Sequence, residues 1–254
     1  MSAIPYAFAA LLGFMAGSFL NVVIYRVPRG LSVVRPRSFC PGCRAKISWY
    51  ENVPVASWLA LRGRCRRCGE RIAVRYPLVE TAGAALAVVS VYRFGFGVDA
   101  AFAFAFLMAL TAITLIDWDF RIIPDGLSLP FIAVGLGWSL VNPGLTLVSS
   151  ALGALAGGGS LYLIGALYKL ARKTEGMGGG DVKLMAMIGA FVGVKLVFPV
   201  VLIASFAGTV YAAALLKSGR GSKTAVAFGS FLAPAAAVCL IFGDRLLAWY
   251  FTGF

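Results

Sequence analysis

The chain has no histidine, only ten acidic residues, and a charged fraction of 13% across 254 residues. The first absence removes the commonest general base. No serine stands near a plausible base either, so acid–base chemistry falls to carboxylate, cysteine, lysine or tyrosine. The scarcity of charge excludes a water-soluble globule, since a soluble domain of this length carries roughly a quarter charged residues. Hydrophobic residues make up 60% of the chain and its mean hydropathy is +0.88. Lipid is the solvent that fits.

Apolar stretches recur near 4–24, 78–98, 100–117, 126–142, 147–168, 182–194, 197–216 and 225–242. They predict an all-α polytopic membrane protein of about eight transmembrane helices, each span needing roughly 17–25 residues. The fourth and sixth are short and require tilt or local thinning of the bilayer. The first stretch lacks a basic n-region and runs too long for a cleavable signal, so it is expected to stay as the first span. Only residues 25–77 read as water-soluble, being rich in Arg, Pro, Gly and Cys. The expected organisation is a first helix over 1–24, a small cytoplasmic zinc-ribbon-like insert over 25–77, and a membrane core over 78–254.

The formal charge of +13 would suit a nucleic-acid binder, but its distribution argues for a membrane. Twelve basic residues lie from Arg26 to Arg75; with the N-terminus outside, Arg121, Lys169, Arg172, Lys173, Lys183, Lys217, Arg220 and Lys223 join them inside. Only Arg93, Lys195 and Arg245 fall outside. This is the positive-inside bias of one topology, with the insert in the cytoplasm beside anionic headgroups and no nucleic-acid partner.

Cys40-Pro41-Gly42-Cys43 and Cys65-Arg66-Arg67-Cys68 are two CxxC pairs separated by 21 residues. Four thiolates so arranged can close a tetrahedron around Zn2+, which leaves no open position and makes the site structural. Two disulfides or a dithiol redox pair are the alternatives; a reducing cytoplasm disfavours the first, and the second would need only one CxxC. An insert of about fifty residues has little core, so the metal would supply its folding energy. The fifth cysteine, Cys239, reads as a small core residue. Gly157–Gly159, inside the fifth span, reads as a packing surface and not a phosphate loop.

Acidic residues at membrane depth are costly and mark function. Asp117, Asp119 and Asp125 fall in one run with Pro124, and Asp181 follows Gly178-Gly179-Gly180 and precedes Lys183. Two carboxylates held close cannot both ionise cheaply; the arrangement activates water and protonates a leaving amine. Asp117, closing the third span, and Asp181, opening the sixth, are the candidate pair. Capping is the alternative: Asp125 and Asp181 both precede apolar helical runs, and for Asp125 capping is the preferred reading. For Asp181 the residues alone leave capping and catalysis even. A proton- or cation-binding transporter, or an adaptor whose zinc loop docks a partner, would use the same residues differently.

The ordered set of motifs resembles the type IV prepilin peptidases, the leader peptidase/N-methyltransferases among GxGD-type intramembrane aspartyl proteases. The resemblance runs from Gly17-Ser18-Phe19-Leu20-Asn21 through the cysteine loop and Glu51-Asn52-Val53-Pro54 to Leu61-Arg62-Gly63-Arg64-Cys65. It continues with Arg75-Tyr76-Pro77-Leu78-Val79-Glu80, Asp117, Pro124-Asp125 and Gly178-Gly179-Gly180-Asp181. It implies an aspartyl endopeptidase of the bacterial inner membrane, N-terminus periplasmic and aspartates at the cytoplasmic face. Asp117 and Asp181 would be catalytic. Implied substrates are type IV prepilins and pseudopilins of pilus or type II secretion systems, cut after a glycine between a basic leader and an apolar helix. Members with the cysteine insert also N-methylate the new terminus with S-adenosylmethionine, and Gly63, Arg64 and Glu80 match positions tied to that activity. Glu51, Glu70 and Glu80 are candidates to offset a basic leader, with exposed surface charge as the simpler reading. Ser230 stands where the family often has proline, a departure expected to affect a helix start and not the chemistry. The oligomeric state is not legible.

Overall fold

Long apolar runs with no β-branched, turn-punctuated alternation can satisfy their backbone in lipid only as helices. The structure, a computed structural model, describes residues 3–174, 178–218 and 227–252. Among these are nine α-helices and no β-strand: α1 (Ile4–Arg26), α2 (Ala56–Ala60), α3 (Arg75–Phe94), α4 (Val98–Phe120), α5 (Asp125–Trp138), α6 (Leu147–Arg172), α7 (Gly179–Val192), α8 (Val194–Lys217) and α9 (Gly229–Thr252). All but the short α2 fall on the eight expected spans. Six of them are long and apolar enough to cross a bilayer. The expected fourth and sixth spans, α5 and α7, have 14 residues each, roughly 21 Å at 1.5 Å per residue. Arg220 and Lys223, assigned above to the inner side, lie outside the described residues.

The chain divides into two compact units, Met1–Phe104 and Ala105–Phe254. In the first, α1 and α3 approach through small residues. A Cβ added at Gly13 would lie 2.5 Å from the Gly83 carbonyl oxygen, and one at Gly17 would lie 2.6 Å from Glu80 Cα. Backbones this close are the small-residue packing of membrane helices. Asn21 Nδ2 donates to the Tyr76 carbonyl oxygen at 3.1 Å, fixing the end of the pair that bears the insert.

The insert folds as two matching turns. In each, the amide of the first cysteine donates across the turn, Cys40 to Ala45 O and Cys65 to Glu70 O. The residue after the second cysteine then turns left-handed, Arg44 at φ 56° and Gly69 at φ 73°. Its amide returns to the first cysteine's carbonyl. One short antiparallel bridge closes each turn, Phe39 with Lys46 and Arg64 with Arg71.

In the second unit α7 is the central element, packed against α5, α6, α8 and α9 and almost wholly buried from Leu184 to Val192. Protein, not lipid, covers this short helix, so its length needs no matching to the bilayer. The expected glycine packing surface is present: Gly153 faces Gly189 backbone to backbone, and Gly157 and Gly158 face Met185 and Ala186, while Gly159 faces open space. Phe191 stacks on Phe106 with ring centroids 4.0 Å apart, tying α7 to α4. Cys239 is fully buried in α9.

Candidate active site and cysteine cluster

Four helix ends meet at one end of the second unit. α4 stops after Asp117 because Arg121 adopts φ 56° and returns its amide to the Asp117 carbonyl at 2.8 Å. Pro124 then caps α5, and α7 and α9 both begin at glycine. Asp117 is 5% exposed. Its Oδ2 accepts two hydrogen bonds from the first turn of α9, from the Ser230 amide at 2.8 Å and the Ser230 hydroxyl at 3.1 Å. That hydroxyl also lies 3.2 Å from the Thr114 carbonyl oxygen. The first-turn amides of a helix are free for such use and their dipole favours an anion.

Asp181 sits in the first turn of α7, where its carboxylate meets the backbone N–H groups of Gly178 and Gly229 and the charge of Asp117. Both aspartates therefore converge on the N-terminus of α9. A Cβ on Gly229 would fall 2.9 Å from Asp117 Oδ2 and 2.8 Å from Ile123 Cδ1. Gly180 meets the same Ile123, at 3.0 Å from its Cβ. The glycines allow three backbones and one isoleucine to crowd around two carboxylates.

The remaining expected residues divide. Pro124, not Asp125, is the N-cap of α5, and Asp125 is its first helical residue, with no capping role. The reason is the fixed geometry of Pro124, which takes the extended cap conformation itself. Both Asp125 oxygens accept from Lys183 Nζ at 2.8 Å in an exposed pair linking α5 to α7. Gly178 caps α7; Asp181 is the third helical residue, and its bond to the Gly178 amide is half of a capping box. Capping and proximity to Asp117 thus coexist. Ser230 was expected to affect a helix start and not the chemistry; it does lie in the first turn of α9, and it also donates twice to Asp117. A serine at a helix start was the available signal; the partner 113 residues away was not.

In the insert, Cys40, Cys43, Cys65 and Cys68 bring their sulfurs within 4.8 Å of one another, with Cys40 Sγ and Cys68 Sγ 3.8 Å apart. All are free thiols, and the cluster can hold a metal ion. The Cys68 and Arg67 amides stabilise the Cys65 thiolate and bring its pKa down to about 7. Cys68 also meets a stabilising amide, from Glu70, but desolvation and the neighbouring sulfurs push it up to about 12.

Beside the cluster lies a cavity of about 340 Å3, bordered by α1, the insert and the start of α3. Glu80 lines it and is buried, so the expectation of an exposed charge fails there. Its Oε2 accepts from the Val55 amide at 2.7 Å. Glu51 is only partly exposed; it accepts from the Ser48 amide at 3.0 Å and pairs with Arg66 at 3.7 Å. Gly63 is buried at φ 65°, and a Cβ there would lie 2.8 Å from the Trp58 ring. Arg64 is exposed.

Comparison with known proteins identifies the family. Residues 11–94 match the bacterial peptidase A24 N-terminal domain and residues 104–213 match the type IV leader peptidase family. The chain belongs to the type IV leader peptidase family. It is accordingly a multi-pass membrane peptidase. The prepilin leader peptidase/N-methyltransferase of Pseudomonas putida is 38% identical over 263 residues, covering 94% of this chain and 91% of the relative. The protein of that name from Neisseria gonorrhoeae is 34% identical over 277 residues, covering 98% and 96%. The one from Burkholderia pseudomallei strain K96243 is 40% identical over 265 residues, covering 93% and 85%. No solved structure matches the chain significantly.

Proposed function

We propose that this leader peptidase cleaves type IV prepilins and pseudopilins with Asp117 and Asp181 as its catalytic pair, and N-methylates the terminus it creates. The observation that carries the reading is the convergence of both aspartates on Gly229 and Ser230. A buried carboxylate pair is the water-activating arrangement available to a chain without histidine.

One aspartate takes a proton from water as it attacks the scissile carbonyl, while the other, protonated, polarises that carbonyl and later supplies the leaving amine. Ser230 engages Asp117 only at Oδ2, leaving Oδ1 to face the reacting water. The substrate's apolar helix enters from the bilayer and unwinds beside the pair, because a helical amide is poorly exposed to attack. Gly178 and Gly180 leave room beside Asp181, and the Asp125–Lys183 pair braces α5 against α7. Lys169, Arg172 and Lys217 close α6 and α8, helices that lead into the aspartate-bearing end. By the positive-inside rule that end, like the basic insert, faces the cytoplasm across the inner membrane.

The four thiols fit zinc. A tetrahedral ion with bonds of about 2.3 Å sets its sulfurs about 3.8 Å apart, the separation between Cys40 and Cys68. Zinc there is structural and holds the two turns of the insert together. S-adenosylmethionine is the methyl donor, and it supplies a methyl group bound to a sulfonium.

The test is cleavage of a prepilin in detergent by the natural chain, Asp117→Ala and Asp181→Ala, with product masses read by mass spectrometry. The natural chain should cut after the leader glycine, both variants should be inactive though folded, and added donor should make the product one methylene heavier. Normal cleavage by both variants would take catalysis away from Asp117 and Asp181; no cleavage by the natural chain would favour the transporter or adaptor.

A further inference from the structure

The inward face of α8 is covered for only half its length. Val197, Val200 and Ala204 follow one another at helical spacing and are buried against α6, α7 and α9. Gly208, Tyr211 and Leu215 continue the same face, yet beyond Ala204 no described residue of α8 is buried. The seam with α9 loosens there. A Cβ on Gly208 would lie 3.8 Å from the Phe231 ring, an ordinary contact, whereas Gly153 and Gly189 of the α6–α7 seam meet backbone to backbone. Aromatic rings occupy the open part. Tyr211 of α8 stands between Phe231 of α9 and Trp118 of α4, with ring centroids 5.5 Å and 5.4 Å away.

This row of rings is continuous with the two carboxylates. Phe231 follows Ser230, which donates to Asp117, and Trp118 follows Asp117 itself in the last turn of α4. Asp117 is buried, while its neighbour Trp118 is 53% exposed. Trp and Tyr commonly mark the membrane–water interface, where each ring meets headgroups on its own. Here rings from three helices touch in a row that starts beside the donor to Asp117 and ends at the exposed indole. An interfacial belt requires no such row. A peptidase that cuts between a leader and an apolar helix must hold the start of that helix beside its acids and the rest toward lipid. Aromatic faces suit the first task, since they offer large apolar area at little cost in side-chain freedom. For the second, α8 is the least buried of the six long helices, and it exposes Phe198, Leu202, Phe206 and Val210 four residues apart. Such a ridge is what a second helix packs against.

We infer that the open seam between α8, α9 and the end of α4 receives the apolar helix of the prepilin, with Trp118, Tyr211 and Phe231 against the side chains that follow the cleaved bond. The inference rests on the prepilin-cleaving reading above and adds where the substrate helix lies. It divides the work between neighbours in the chain: Asp117 acts on the peptide bond, and Trp118 holds what comes after it. The three rings are specificity residues and not catalytic ones. Contacts made equally with substrate and transition state raise KM when removed and leave kcat in place, whereas a residue that acts through Asp117 changes kcat.

The experiment measures prepilin cleavage by the purified full chain in detergent, for the natural sequence, Trp118→Ala, Tyr211→Ala and Trp118→Phe. Each alanine should raise KM about tenfold, near the upper end of what one aromatic contact is worth, and leave kcat within about threefold. Trp118→Phe should keep KM near the natural value. Tyr162→Ala, which removes an exposed ring from α6, should change neither constant. Photocrosslinking is the second measurement. The probe p-benzoylphenylalanine in place of Trp118 should label the apolar helix of the prepilin, and in place of Tyr162 it should not. Unchanged KM in both alanine variants, or no label from position 118, overturns the inference, makes the rings an interfacial belt and leaves the catalytic reading standing. A loss confined to kcat overturns it as well, because the rings then act by packing on Asp117. A natural chain that cuts no prepilin sinks the reading beneath, and the docking site with it.

Discussion

Replacing Ser230 by alanine removes one of the two donors on Asp117 Oδ2 and leaves the other, the backbone amide at 2.8 Å, in place. A hydrogen bond to a charged partner contributes about 1.5–3 kcal/mol. The lower half applies here, because the hydroxyl is shared with the Thr114 carbonyl and the amide stays on the same oxygen. A loss of about 1.5–2 kcal/mol in transition-state stabilisation, at about 1.4 kcal/mol per factor of ten, slows cleavage roughly 10–30-fold. The loss should fall on kcat with KM unchanged, since Ser230 is buried against Asp117 and would act through it. Initial rates of prepilin cleavage across substrate concentrations measure both constants. Ser230→Cys is the companion variant, because it keeps the volume but offers only a weak S–H donor. If alanine leaves kcat within twofold, or cysteine restores the full rate, Ser230 fills space and the hydrogen-bond reasoning is wrong.

Gly229→Ala places a methyl 2.9 Å from Asp117 Oδ2 and 2.8 Å from Ile123, so cleavage should fall by about a hundredfold or more. Circular dichroism should show the helices intact, and near-normal rates would mean that α9 can shift without cost. Lys183→Ala breaks an exposed ion pair whose partners are 40% and 57% accessible, so thermal stability should change by less than about 1 kcal/mol. A severe loss of cleavage with stability unchanged would instead put Lys183 in contact with substrate. Cys40→Ser should abolish bound zinc, measured by atomic absorption, and open residues 27–74 to limited proteolysis. Retention of one zinc by the serine variant would exclude the four-thiol site.

The helices and the four-cysteine cluster were legible because their signals are local. Each span is a continuous apolar run, and CxxC fixes its two sulfurs within one turn. Helix ends were less so. α9 begins at Gly229, where the apolar run alone suggested 225, and α3 begins three residues ahead of its apolar run. Position in a turn also misled: an aspartate just ahead of an apolar run reads as a cap, yet Pro124 and Gly178 take the cap positions of α5 and α7. The Ser230–Asp117 contact joins residues 113 apart, and no periodicity encodes it. The burial of Glu80 was hidden for a different reason. It depends on a positive-φ turn at Val55, a residue type that propensity would never place there.

Asp117 is synthesised long before the residues that hold it. Its two donors come from Ser230 in the last helix, and Asp181 leans on Gly229 beside it. A nascent chain that has inserted α4 and even α7 therefore carries both acids without the cradle that positions them. If the two acids are the catalytic pair, proteolysis waits for α9. On the proposed mechanism, a chain that lacks α9 would carry both acids and cut no prepilin.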